Sequence, residues 1–76
     1  MARTRWPRVE AAILRHLARR RAPTTAAAVA EGTGLPEGDV TYALEALYEA
    51  GRVETRVEEG TRRWWLPGDA GDGPEA

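Results

Sequence analysis

The chain has 76 residues, of which 42% are apolar and 30% are charged, and it contains no cysteine and one histidine. A chain this short forms one hydrophobic core, so we expect one domain. Without cysteine, the chain can form neither a disulfide nor a zinc site of cysteine and histidine ligands, and we expect no metal and no cofactor.

The sequence also disfavours three classes of protein, namely membrane proteins, secreted proteins and enzymes. No apolar run approaches the roughly 20 residues of a membrane span, and the basic first residues have no apolar core of a secretory signal behind them. We therefore expect a cytoplasmic protein without membrane contact. One histidine, two tyrosines and scattered carboxylates offer no nucleophile with a base beside it, so we expect no enzymatic activity.

The net charge of −1 conceals a strong segregation of charge along the chain. Residues 1–21 contain seven arginines and one glutamate, whereas residues 22–50 contain five acidic side chains and no basic one. Residues 51–66 contain four arginines and three glutamates. All eleven cations are arginine, which suits bidentate contact with phosphate or carboxylate.

The first predicted helix runs from about residue 7 to residue 20, because Pro7 suits a first helical position and Pro23 follows the end of the pattern. Val9, Ile13 and Leu17 form its apolar stripe. The opposite stripe is basic and consists of Arg8, Arg15 and Arg19. It is either a solvated face or an anion-binding face. Residues 1–6 are expected to form a basic arm in which Trp6 acts as a hydrophobic staple.

A short second helix and a longer third helix follow. Thr24 or Thr25 is the expected N-cap of the second helix, which Gly32 and Gly34 end. The third helix begins near Pro36 and stops at Gly51. Its predicted core face consists of Val40, Ala43, Leu44, Leu47 and Tyr48, and its other face of Gly38, Thr41, Tyr42, Glu45 and Glu49. The short turn between the two helices indicates helix-turn-helix geometry.

The hydrophobic period changes from 3.6 to 2 after Gly51, which predicts a two-stranded hairpin with a turn at Gly60. Alternation places one set of side chains inward, namely Val53, Thr55, Val57, Trp64 and Leu66. It places Arg63 and Trp65 outward. Residues 67–76 are rich in glycine, proline and acidic residues, so we expect a disordered acidic tail.

Five groups of residues follow one another along the chain in the order of three helices and a hairpin. They are Ile13, Leu14 and Leu17; Val29 and Ala30 before the turn at residues 33–36; Val40, Ala43, Leu44 and Leu47; Gly51 and Val53; and Trp64 and Leu66. This pattern resembles the winged helix-turn-helix DNA-binding domain of bacterial and archaeal transcription regulators. The resemblance covers residues 7–66 and implies a mainly α fold, with a three-helix core and a two-stranded wing.

The resemblance also implies a mode of binding to double-stranded DNA. Helix 3 would enter the major groove, with Gly38, Thr41, Tyr42 and Glu45 as the residues that face the bases. The wing would contact an adjacent groove or the backbone through Arg56, Arg62 and Arg63, and Trp65 could stack on a base. The arginines of helix 1, namely Arg8, Arg15 and Arg19, are further candidates for contact with the DNA backbone. A homodimer is expected if the DNA site is palindromic.

The acidic third helix departs from this pattern and leaves a second function open. A carboxylate near phosphates is usually repulsive, although a glutamate can accept a hydrogen bond from the cytosine amino group. The alternative is an interaction module that docks on a protein partner through the acidic helix 3 or through Trp65.

A winged-helix subfamily that binds left-handed nucleic acid is a poor match to this chain. In that subfamily the recognition helix carries an asparagine and a tyrosine, where this chain has Thr41 and Glu45. It also carries a pair of prolines before the wing tryptophan, where this chain has Arg62 and Arg63.

Overall fold

In a computed structural model, which describes residues 5–69, three helices precede a two-stranded antiparallel hairpin. The elements are α1 (Arg5–Arg20), α2 (Ala26–Thr33), α3 (Glu37–Glu49), β1 (Glu54–Glu58) and β2 (Thr61–Trp65). This order confirms the predicted fold, a three-helix core with a two-stranded wing. In this part of the chain, no helix has both the length and the apolar character needed to cross a membrane.

The first helix begins earlier than predicted. It starts at Arg5, so Arg5 and Trp6 belong to α1 and not to the predicted basic arm. Pro7 is tolerated in the first turn because the amide it lacks would have no intrahelical partner there. Trp6 packs against the core, and its ring lies 5.1 Å from that of Tyr42 on α3, so it is not a local staple. Residues 1–4 of the predicted arm lie outside the described residues.

The second helix is fixed at both ends by side-chain and backbone caps. The hydroxyl of Thr25 accepts a hydrogen bond from the Ala28 amide at 3.1 Å, which makes Thr25 the N-cap. Gly34 ends the helix with a φ of 77°, a conformation that favours glycine. Gly32 lies inside the helix, so the prediction that it helps to end α2 is wrong. Its missing side chain instead makes room for the imidazole of His16.

The three helices enclose one apolar core, to which the hairpin adds a tryptophan. Its buried members are Val9, Ile13, Leu17, Val29, Val40, Ala43, Leu44, Leu47, Val53 and Trp64. Trp64 is held there because its backbone amide and carbonyl both bond to Thr24, at 2.7 and 2.9 Å. Tyr48, which the periodicity placed in the core, is 52% exposed. It follows Leu47 in the last turn of α3, at the rim where the core gives way to solvent.

The wing is a tight hairpin with the predicted turn. Glu58 pairs with Thr61, and the two turn residues, Glu59 and Gly60, have φ values of 53° and 80°. A two-residue type I′ turn needs these left-handed conformations. Val57 is 50% exposed, so its predicted inward position is wrong. It lies near the tip of the hairpin, where the wing extends beyond the helices.

The chain continues after the wing into a short turn. The amide of Asp69 donates to the carbonyl of Leu66 at 2.9 Å, and Gly68 has a positive φ of 96°. Residues 67–69 of the predicted disordered tail are therefore described as a turn. Residues 70–76 lie outside the described part of the chain.

Candidate nucleic-acid interface

The outer face of α3 presents the residues that the sequence analysis proposed to face bases. Gly38 and Glu45 are exposed, and Thr41 between them is half-buried. Space around Gly38 is open, because a Cβ built there would contact nothing within 4 Å. Tyr42 is 64% exposed but lies at the edge of this face, where its ring packs on Trp6. The structure therefore brings Gly38, Thr41 and Glu45 together on one side of the helix.

A groove of about 380 Å³ separates α3 from the wing. Its lining residues are Glu45, Tyr48, Glu49, Thr55, Arg62 and Trp64. Two carboxylates thus lie on the helix side, and one guanidinium lies on the wing side. The helix and the wing form one continuous surface around this groove.

Arg62 is fixed on the groove side of the wing by contacts within the hairpin. Its guanidinium donates a hydrogen bond to the Thr55 hydroxyl at 3.1 Å and lies 5.8 Å from the centre of the Trp64 ring. The Thr55 hydroxyl in turn donates to the Arg63 carbonyl at 2.8 Å. A guanidinium held in this way loses less conformational freedom when it binds an anion.

Arg56 lies on the other face of the hairpin, where it pairs with an acidic neighbour. It forms an ion pair with Glu58 at 2.9 Å, and its guanidinium lies 5.8 Å from the centre of the Trp65 ring. Arg63 is half-buried and shares that face by alternation. The three predicted wing arginines therefore divide, with Arg62 alone lining the groove beside α3.

Trp65 does not point outward into solvent as the sequence analysis expected. Its side chain is buried, with 7% exposure, and its indole donates a hydrogen bond to Glu54 Oε1 at 2.7 Å. Pairing of Glu54 with Trp65 follows from the register of the hairpin. The alternation predicted the correct face, but cross-strand neighbours cover the ring. Burial removes Trp65 as an exposed stacking or docking residue.

The contacts of Thr55 with Arg62 and of Glu54 with Trp65 were not predicted from the sequence. A two-residue turn at residues 59–60 fixes the register, so counting back from it places Glu54 opposite Trp65 and Thr55 opposite Trp64. The register counted back from the turn could therefore have predicted both contacts from the sequence.

The basic stripe of α1 is exposed and separate from the groove. Arg8, Arg15 and Arg19 all lie on the solvent side of the helix, and none of them lines the groove beside α3. The apolar stripe of the same helix faces the core. Within residues 5–69, no three acidic or histidine side chains are arranged to hold a metal ion.

Comparison with known proteins places this geometry in a family. A family model described as a helix-turn-helix domain matches residues 8–56. The chain belongs to the helix-turn-helix domain family. No curated protein matches this helix-turn-helix chain.

Two solved structures share the fold of this helix-turn-helix domain. One is the Zalpha domain of Carassius auratus PKZ in complex with Z-DNA, with a TM-score of 0.70, 24% identity, and coverage of 80% of this chain and 95% of that one. The other, described as the DNA recognition and protein interaction domains of HOP2, has a TM-score of 0.68, 22% identity, and coverage of 76% and 97%. At these identities the likeness shows the fold, and it confirms the winged-helix architecture.

Proposed function

We propose that this helix-turn-helix protein is a small transcription regulator that binds duplex DNA in the cytoplasm, at the nucleoid. The outer face of α3 enters the major groove, and the wing contacts the phosphate backbone. The observation that carries the proposal is the position of Arg62, which lies across one groove from the exposed face of α3. The family and the DNA-bound neighbour of the same fold support this assignment.

The distribution of charge indicates that the wing, and not α3, attracts the phosphate backbone. The helix has no arginine or lysine, so attraction to phosphate must come from outside it. Arg62 supplies this attraction on the groove side of the wing, whereas Glu58 already compensates the charge of Arg56. Because the counterions released by phosphate contacts dominate affinity for DNA, binding is expected to be modest and to depend on few contacts.

Thr41 and Glu45 are the proposed readers of the bases. The Thr41 hydroxyl can donate or accept, and its methyl group can contact the methyl group of thymine. A carboxylate at Glu45 can accept only from the cytosine or adenine amino group, and cytosine is the usual partner of an acidic side chain. We therefore expect sites with cytosine opposite Glu45 to be preferred.

The test compares two arginines of the same hairpin, each stacked 5.8 Å from a tryptophan ring. Fluorescence anisotropy measures the affinity for a duplex of random sequence over a series of salt concentrations. Arg62→Ala is expected to weaken binding and to reduce the slope of log affinity against log salt by about one unit. Arg56→Ala is expected to change both quantities less, because its partner Glu58 already lowers its contribution.

Two results would contradict the proposal at different levels. If the wild-type protein does not bind duplex even at low salt, the DNA-binding function is wrong. If it binds but Arg62→Ala and Arg56→Ala behave alike, the protein contacts DNA on another surface. Circular dichroism of each variant checks that the fold is retained.

A further inference from the structure

The outer side of α3 carries two adjacent grooves that share Glu45 and Glu49. The groove on the wing side has a volume of about 380 Å³ and includes Tyr48, which is 52% exposed. The groove on the other side has a volume of about 190 Å³ and includes Tyr42, which is 64% exposed. Carboxylates beside exposed phenol rings suit a guanidinium, which pairs with the acid and stacks on the ring.

The same chain presents exposed guanidinium groups at the matching spacing. Arg15 and Arg19 lie four residues apart on the solvent side of α1, and Glu45 and Glu49 lie four residues apart on α3. Both intervals are about 6 Å along a helix axis. Two helices side by side can therefore form both arginine–glutamate pairs at once.

The positions of the α1 arginines match positions on α3 over a longer stretch when the two helices run parallel. An offset of 30 residues places Arg15 beside Glu45 and Arg19 beside Glu49, and it places Arg8 at the level of Gly38. Gly38 has no side chain and follows the exposed Glu37, so an arginine can approach the helix closely there. The basic stripe of α1 thus matches the outer face of α3 along three turns or more.

These faces cannot meet within one molecule. The stripe of α1 that contains Val9, Ile13 and Leu17 is buried in the core, so the arginine stripe on its other side faces away from α3 of the same chain. We propose that the basic stripe of α1 docks on the outer face of α3 of a second copy of this chain. The two faces differ, so the contact is head-to-tail, and each copy can bind one neighbour through α1 and another through α3.

The chemistry of the contact predicts weak and salt-sensitive association. Exposed ion pairs contribute little individually, so we expect association only at protein concentrations approaching about 1 mM. The net charge of −1 leaves little overall repulsion between copies. The Debye length is about 30 Å at 0.01 M salt and about 3 Å at 1 M salt. The higher salt concentration should therefore dissociate the assembly.

Sedimentation velocity without DNA tests this proposal independently of the proposed function. The weight-average sedimentation coefficient of the wild-type protein is expected to rise with concentration at about 0.01 M salt and to become constant at about 1 M. The pair Arg15→Glu and Arg19→Glu, or the pair Glu45→Arg and Glu49→Arg, should weaken association at least about tenfold. All four substitutions together exchange the two charges and should restore it.

Control variants separate this contact from an effect of net charge. Arg20→Glu with Arg52→Glu, and Glu31→Arg with Glu59→Arg, change net charge by the same amounts at exposed positions outside the two faces. These pairs are expected to retain association. A wild-type protein that stays monomeric at low salt overturns the proposal, as does a loss of association in the control pairs equal to that in the test pairs. Failure of the fourfold variant to associate, with its circular dichroism unchanged, also overturns it.

Discussion

Substitution of Gly32 by alanine should destabilise the protein, although alanine is the better helix former. In a helix interior, alanine is favoured over glycine by about 1 kcal/mol. At position 32, however, a Cβ would lie 2.9 Å from Nδ1 of His16, 3.3 Å from Nε2 and closer still to Cε1. Overpacking of this kind costs about 1–3 kcal/mol, so the strain should outweigh the helix propensity.

The imidazole of His16 is half-buried on α1 and lies against Gly32 of α2, so the added methyl group must displace the ring. Its Nε2 atom is buried and has no hydrogen-bond partner among residues 5–69. We expect Gly32→Ala to lower the free energy of unfolding by roughly 1 kcal/mol, the difference between the two effects. For a domain of this size, that loss lowers the melting temperature by about 4–8 °C.

A double-mutant cycle with His16→Ala isolates the contact. Once the imidazole is removed, Gly32→Ala should raise the free energy of unfolding by about 1 kcal/mol, so the sign of its effect reverses. Urea unfolding followed by circular dichroism measures all four proteins. If Gly32→Ala has the same effect in both backgrounds, the contact between His16 and Gly32 does not limit this position and the reasoning is refuted.

Two further predictions concern pH and the acidic face of α3. Burial lowers the pKa of His16 below its ordinary value of 6.5, and the positive charges of Arg19 and Arg20 lower it further. The unfolded state therefore binds the proton more readily than the folded state, so the free energy of unfolding should fall as pH falls from about 7.5 to 5.5. Urea titrations at each pH measure this dependence. His16→Gln should remove most of it. Glu49→Gln should leave duplex affinity equal or raise it in anisotropy titrations, because it removes a carboxylate near phosphate. A clear loss of affinity would contradict this repulsion, because it would show that the carboxylate favours binding.

The elements could be predicted from sequence because each depends on local features. The apolar stripe of α1, the cap at Thr25, the glycine at position 34 and the change of period after Gly51 all act over a few residues. The face of each wing residue also followed from alternation. These features do not depend on how the elements pack together.

The errors concern burial, which depends on what covers a side chain. Trp65 was placed on the correct face, but the sequence pattern does not show that Glu54 and Arg56 contact it. Tyr48 and Val57 have the period of the core but lie beyond its edge. Trp6 was assigned a local role, whereas it contacts Tyr42 about 36 positions later in the chain. Such contacts are set by the tertiary arrangement and not by local spacing.

The central claim is that duplex DNA binds the surface formed by α3 and the groove side of the wing. The most direct measurement is a titration of nitrogen-15-labelled protein with a duplex, followed by amide chemical shifts at a concentration where sedimentation shows the protein alone to be monomeric. The largest shifts are expected at Gly38, Thr41 and Arg62, with little change at Arg15 and Arg19. Shifts concentrated on the basic stripe of α1, or no shifts at low salt, would contradict the claim.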